Sequence, residues 1–181
     1  MYGLLVIIVM LVAVATWIST KLTRKNSPVT VRPVFPRYTP GARRVIFFAR
    51  WHAQQLGSAA IRPEHLLLGL ITEQNTPVRS FLLLDWDSWF EAEVKRNVEI
   101  HPALPKDTDL PLDNASKRIL FYTMMEADAL PNKHIGTEHL LLGLLREKST
   151  FVAELLAQKG ISLEGVRKVF QQWPPDEFST Q

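Results

Sequence analysis

The chain has 181 residues, a formal net charge of +3 and no cysteine, which excludes disulfides, thiolate nucleophiles and cysteine-type zinc sites. Charge is segregated along it. Nine Lys and Arg residues and no Asp or Glu precede Glu64, whereas 12 basic residues face 18 acidic ones from there on, so the basic excess belongs to the N-terminal stem and does not argue for nucleic acid.

Residues 1–20 carry no charge and include the run Leu4 to Ala15. As a helix, such a segment spans roughly 30 Å, the depth of a bilayer's hydrocarbon core. Tyr2 and Trp17 stand where interfacial aromatics belong, and Lys21, Arg24 and Lys25 follow at once. The pattern predicts a single transmembrane helix over 1–20 with the following domain on the cytoplasmic side. A cleaved signal peptide is the alternative, because Ala13-Val14-Ala15 resembles a cleavage site. Against it, the basic n-region is missing and the charges lie on the other flank. Residues 21–38 form a basic linker in which Asn26 to Tyr38 holds three prolines, the composition of an extended spacer.

From residue 39 the signals are helical. Thr39 is a predicted N-cap with Pro40 at the first helical position. Val45, Phe48, Ala49, His52 and Leu56 recur at spacings of three and four, and Gly57 ends the helix. Pro63 starts a second helix, and 77–84 and 88–97 supply a third and fourth. The proline-containing segment Glu99 to Pro111 links to a fifth helix, capped by Asp113 or Asn114 and running to about Leu130. A sixth is capped by Thr137, a seventh covers 151–158, and an eighth is capped by Ser162 after Gly160. Residues 173–181 read as a flexible tail.

The decisive feature is a heptapeptide that occurs twice. Glu64-His65-Leu66-Leu67-Leu68-Gly69-Leu70 returns unchanged as Glu138-His139-Leu140-Leu141-Leu142-Gly143-Leu144. At the same offset Arg44 pairs with Arg118, Phe47 with Phe121, Ala53 with Ala127, Ile61 with Ile135 and Glu73 with Glu147. The chain is a tandem duplication, predicted to be all-α: two pseudo-symmetric four-helix repeats, 39–98 and 112–172, packed as one domain over 39–172. The triple leucines are core. Gly69 and Gly143, mid-helix where glycine costs up to about 1 kcal/mol relative to alanine, mark close helix crossings.

These residues carry a resemblance. Thr39-Pro40, Ala42-Arg43-Arg44-Val45, Leu56-Gly57, Ile61, the first heptapeptide, and the second copy from Ile135-Gly136-Thr137 through Glu147 resemble the Clp N-terminal double repeat. So does the tail motif Gly160-Ile161-Ser162-Leu163. The resemblance covers about 39–172. It implies a domain that docks adaptors and substrates of Clp-type unfoldases at a bacterial inner membrane, given the predicted anchor. No G-x-x-x-x-G-K-[ST] occurs and none of the eight glycines precedes a lysine, so no phosphate loop is present. The expectation is a non-enzymatic protein-binding module without nucleotide, cofactor or nucleic acid. A scaffold that has lost peptide recognition is the alternative.

In relatives that bind phosphoarginine, the resemblance implies that the motif glutamate receives the guanidinium and a threonine starting the repeat's first helix helps hold the phosphate. Thr39 and Glu64 match one such site. Glu138 belongs to the other, where Asp113 replaces the threonine and would repel phosphate. Arg62-Pro63 stands before Glu64 in place of the usual Gly-Thr. Without the resemblance, each glutamate is an acid stabilised by its helix dipole. His65 and His139 are at most two metal ligands and are simpler as local hydrogen-bonding residues, so no metal is expected. Trp86, Trp89 and Phe90 form either core or an exposed docking patch.

Overall fold

The computed structural model describes residues 36–74, 76–80, 87–129 and 134–172. The chain divides into two units after Pro36, and everything below concerns the second. It holds seven α-helices among the described residues: α1 (Pro40–Gln55), α2 (Pro63–Thr72), α3 (Asp87–Asn97), α4 (Asn114–Asp128), α5 (Thr137–Arg146), α6 (Phe151–Gln158) and α7 (Leu163–Gln171). The helix ends follow local chemistry. The Thr39 hydroxyl accepts the Ala42 N–H at 3.2 Å, Asp113 accepts the Ser116 N–H at 2.7 Å, and Ser162 accepts the Gly165 N–H at 3.1 Å. Each satisfies one of the orphan donors of a helix start. Gly57 and Gly160 stop their helices at φ 66° and 72°, in the left-handed region that suits glycine.

Two expectations about architecture are corrected. The third helix predicted over 77–84 is a 3-10 turn, Pro77–Ser80, tightened by the Arg79 N–H donating to Thr76 O and the Val78 N–H to the Thr76 hydroxyl. Residues 81–86 lie outside the described ones. The all-α class stands, but the predicted transmembrane helix does not stand as part of it. No helix among the described residues is long and apolar enough to cross a membrane, and residues 1–20 lie outside the description, as do the linker up to residue 35 and the tail 173–181.

The motif helices α2 and α5 form the centre. Both read as apolar almost all round, which suits a helix enclosed on every side. Leu66, Leu67, Leu70, Leu140, Leu141 and Leu144 are inaccessible to solvent, each burial contributing about 1.5–3 kcal/mol. Helix α1 packs on α2, and α4 packs on α5. At both crossings glycine faces backbone. A methyl on Gly69 would stand 2.5 Å from Val45 O, and one on Gly143 would stand 2.7 Å from Ile119 O. These are equivalent positions of the two repeats, and the close-crossing expectation holds in both.

The repeats also share an ion pair. Arg44 donates to Glu73 from Nε at 2.6 Å and Nη2 at 3.1 Å, and Arg118 Nε donates to Glu147 at 2.6 Å. Each pair ties the first helix of its repeat to the end of the motif helix, and each carboxylate is buried. The Arg118 hydrogen bond holds the Glu147 carboxyl below its ordinary range.

The halves are interlocked by two short crossings. Tyr38 pairs in parallel with Ile135, and Ile61 with Leu112. At the first, the Thr39 N–H donates to Ile135 O at 2.9 Å and the Ile135 N–H to Arg37 O at 2.7 Å. At the second, the Ile61 N–H donates to Pro111 O at 2.8 Å and the Asp113 N–H to Ile61 O at 3.1 Å. The start of each repeat's first helix therefore lies beside the start of the other repeat's motif helix.

Candidate functional site

The crossings regroup the predicted site residues. Thr39 and Glu64 belong to one repeat, yet the structure does not bring them together. Thr39 begins α1 beside Ile135, Gly136 and the start of α5, where a methyl on Gly41 would touch Thr137 Cγ2 at 3.5 Å. Glu64 begins α2 beside Asp113; burial, and to a lesser degree the Asp113 charge, raises the Glu64 pKa. Thr39, Gly136, Thr137 and Glu138 thus share the first crossing. Asp113, Arg62, Pro63 and Glu64 share the second.

The two motif helices start alike. Neither Arg62 nor Gly136 has a side-chain cap on its helix. Instead the histidine one turn on reaches back: the Arg62 N–H donates to His65 Nδ1 at 2.9 Å and the Gly136 N–H to His139 Nδ1 at 3.0 Å. An accepting Nδ1 leaves the proton of the neutral ring on Nε2. Gly136, not Thr137, occupies the N-cap position of α5. The histidines are thus local structural groups, and no cluster of three or more His, Asp or Glu suited to a metal occurs among the described residues.

Burial, then the charges of Arg62 and His52, hold the His65 ring down to about 4. An unfolded histidine titrates near 6.5. Between those values the unfolded chain binds a proton that the folded chain refuses, so this contribution is complete above about pH 6.5 and is lost as pH falls toward 4. The slope is at most about 1.4 kcal/mol per pH unit. Glu64 acts in the opposite sense, because burial raises its carboxyl while its own N–H and Arg62 only partly offset that. Urea unfolding between pH 7 and pH 4 should show a steeper loss for the native chain than for His65→Gln. Parallel curves would refute this assignment.

The carboxylates differ sharply. Glu138 is 7% exposed. Its Oε1 lies 2.9 Å from His139 Nδ1, the nitrogen that accepts the Gly136 N–H. Its Oε2 is 3.5 Å from the Thr137 hydroxyl, at the limit of a hydrogen bond. Among the described residues no Lys or Arg lies within 4.0 Å of Glu138. His139 Nε2 is buried with no hydrogen-bond partner among the described residues. Glu64 instead is half-buried and lines a cavity of about 350 Å³ with Arg62, Asn97, Val98, Glu99 and Phe151.

The aromatic group is placed otherwise. Phe90 is inaccessible and Trp89 is half-buried. The Trp89 ring meets Phe90 edge-on and carries the Lys159 ammonium 4.0 Å above its centroid. Trp86 lies outside the described residues. The exposed apolar residues are others, among them Phe47 at 64% and its repeat equivalent Phe121 at 53%.

An all-α double repeat, with its motif helices at the centre and its two halves crossed at their helix starts, defines a recognisable class. The chain matches the Clp repeat (R) N-terminal domain over residues 11–83 and 111–174, and it belongs to that family. It is 32% identical over 148 residues to the chaperone protein ClpC1, chloroplastic, of Arabidopsis thaliana, covering 79% of this chain and 16% of that one. It is 31% identical over 138 residues to the negative regulator of genetic competence ClpC/MecB of Bacillus subtilis, covering 75% and 17%. The N-terminal domain of the chaperone ClpD from Arabidopsis thaliana superposes with a TM-score of 0.60 at 26% identity, covering 76% of this chain and 94% of that one. The Hsp104 N-terminal domain from Candida albicans, with a TM-score of 0.57 at 18% identity, covers 72% and 87% and shows the fold alone.

The chain thus spans about a sixth of the length of these curated relatives. The expected bacterial inner-membrane location does not stand. The Arabidopsis relative is named as chloroplastic, and no described helix is long and apolar enough to cross a membrane.

Proposed function

We propose that this chain is a protein-recognition module that acts by binding rather than catalysis, and that its receptor is the crossing of Thr39 with Glu138. It takes a guanidinium of a protein partner, in phosphorylated form where the Thr39 end of α1 meets the phosphate. The partners are adaptors, components of a Clp system or segments of its substrates. One observation supports the reading: Glu138 is a buried carboxylate with no Lys or Arg within 4.0 Å among the described residues. Burying an ionised group without a partner costs free energy, and a guanidinium from outside supplies both the charge and the paired donors. Glu64 lacks this setting, since Arg62 and Asp113 share its surroundings.

Calorimetric titration of the full chain with an arginine-phosphorylated peptide, and with its unmodified counterpart, tests the proposal. Saturable binding is expected, weakened at least tenfold by Glu138→Ala, since a hydrogen bond to a charged group contributes about 1.5–3 kcal/mol. No binding of either peptide, or equal binding by the variant, would overturn it.

A further inference from the structure

Gly136 has no backbone reason to be glycine. Its φ of −95° and ψ of 179° are extended values open to every residue. What it supplies is space. A Cβ there would stand 2.1 Å from Oε1, 2.2 Å from Oε2 and 2.4 Å from Cδ of Glu138, so the carboxylate occupies the volume in which a side chain would begin. The first repeat provides the internal comparison. Arg62 has nearly the same backbone, φ −106° and ψ 169°, and the same histidine accepting its N–H. It carries the Cβ that Gly136 lacks. In that repeat the glutamate is half-buried and faces the cavity beside Val98 and Phe151.

We infer that Gly136 is the positioning residue of the recognition site: its missing side chain lets Glu138 fold back over the start of α5, and Arg62 denies Glu64 the same place. One chain therefore holds one folded-back receptor carboxylate, although its motif occurs twice. The receptor role rests on the function proposed above, whereas the placement of the carboxylate does not.

Gly136→Ala separates the two. The group in the way is the mobile end of a side chain, so the variant folds with a nearly unchanged melting temperature while the Glu138 carboxylate swings outward. Carbon-13 NMR of the glutamate carboxyls reads that movement without any ligand. The Glu138 resonance is expected to shift in Gly136→Ala and to stay in Arg62→Ala. An unmoved Glu138 resonance in Gly136→Ala would overturn the inference. In the peptide titration, wild type is expected to bind one phosphoarginine per chain, Gly136→Ala at least tenfold more weakly, and Glu64→Ala within twofold of wild type. Two equivalent sites in wild type would also overturn it. If wild type binds no peptide but the resonance shifts, the proposed function fails and the positioning by Gly136 stands.

Discussion

Phe90→Ala should lower the free energy of unfolding by about 3–5 kcal/mol, the range for emptying an aromatic side chain from a closed core. Phe90 sits on the inner face of α3 and is wholly inaccessible, with Val94 one turn on equally so. Its ring meets Trp89 edge-to-face with centroids 5.0 Å apart, an arrangement that contributes about 0.5–1.5 kcal/mol beyond area alone. Urea denaturation followed by circular dichroism measures the loss. The result discriminates between the two roles the sequence left open for this stretch. A docking residue would be lost at little cost in stability, so a change below about 1 kcal/mol would return Phe90 to the surface.

Gly69→Ala should destabilise the domain by about 1–3 kcal/mol, against the sign expected from helix propensity. In an exposed helix the same change is favourable by up to about 1 kcal/mol. Here the added methyl meets Val45 O at 2.5 Å and Ala49 N at 3.0 Å. Those are backbone atoms of α1, and backbone cannot rotate out of the way. The two helices must separate, opening the leucine layer behind them. Gly143→Ala meets Ile119 O at 2.7 Å and the Thr123 hydroxyl at 2.3 Å and should behave alike. Thermal unfolding of both variants decides the matter, and a raised melting temperature in either would contradict the crossing geometry.

Most of the fold was legible because its determinants are local or repeated. Of the predicted stripe of α1, Val45, Ala49 and Leu56 are buried while Phe48 and His52 are half-buried, and Thr39, Asp113 and Ser162 mark helix starts that the structure keeps. The identical pairs Arg44 with Arg118 and Glu73 with Glu147 proved to be two copies of one ion pair, a contact that the alignment of repeats points to without naming. The third helix of the first repeat failed locally, because Thr76 and the i to i+3 hydrogen bond of Arg79 favour a tighter turn.

The grouping of the site residues was not legible. The resemblance pairs Thr39 with Glu64, whereas the two-residue crossings set each beside a helix start of the other repeat. A pairing of two residues leaves no periodic mark in a sequence. The contrast that mattered, Arg62 against Gly136, was visible as a departure from pattern. Its meaning required the position of the Glu138 carboxylate, which no spacing encodes.

The crossings also bear on the order in which the chain folds. Tyr38 finds its partner at Ile135, nearly a hundred residues later. During synthesis the first repeat leaves the ribosome long before that partner exists, so its helices form with one edge unanswered and with the leucines of α2 lacking those of α5. Loop closure of that length is slow and is rewarded only when both ends are present. Until the second repeat emerges, the leucines of α2 cannot be covered by those of α5 as they are in the folded domain.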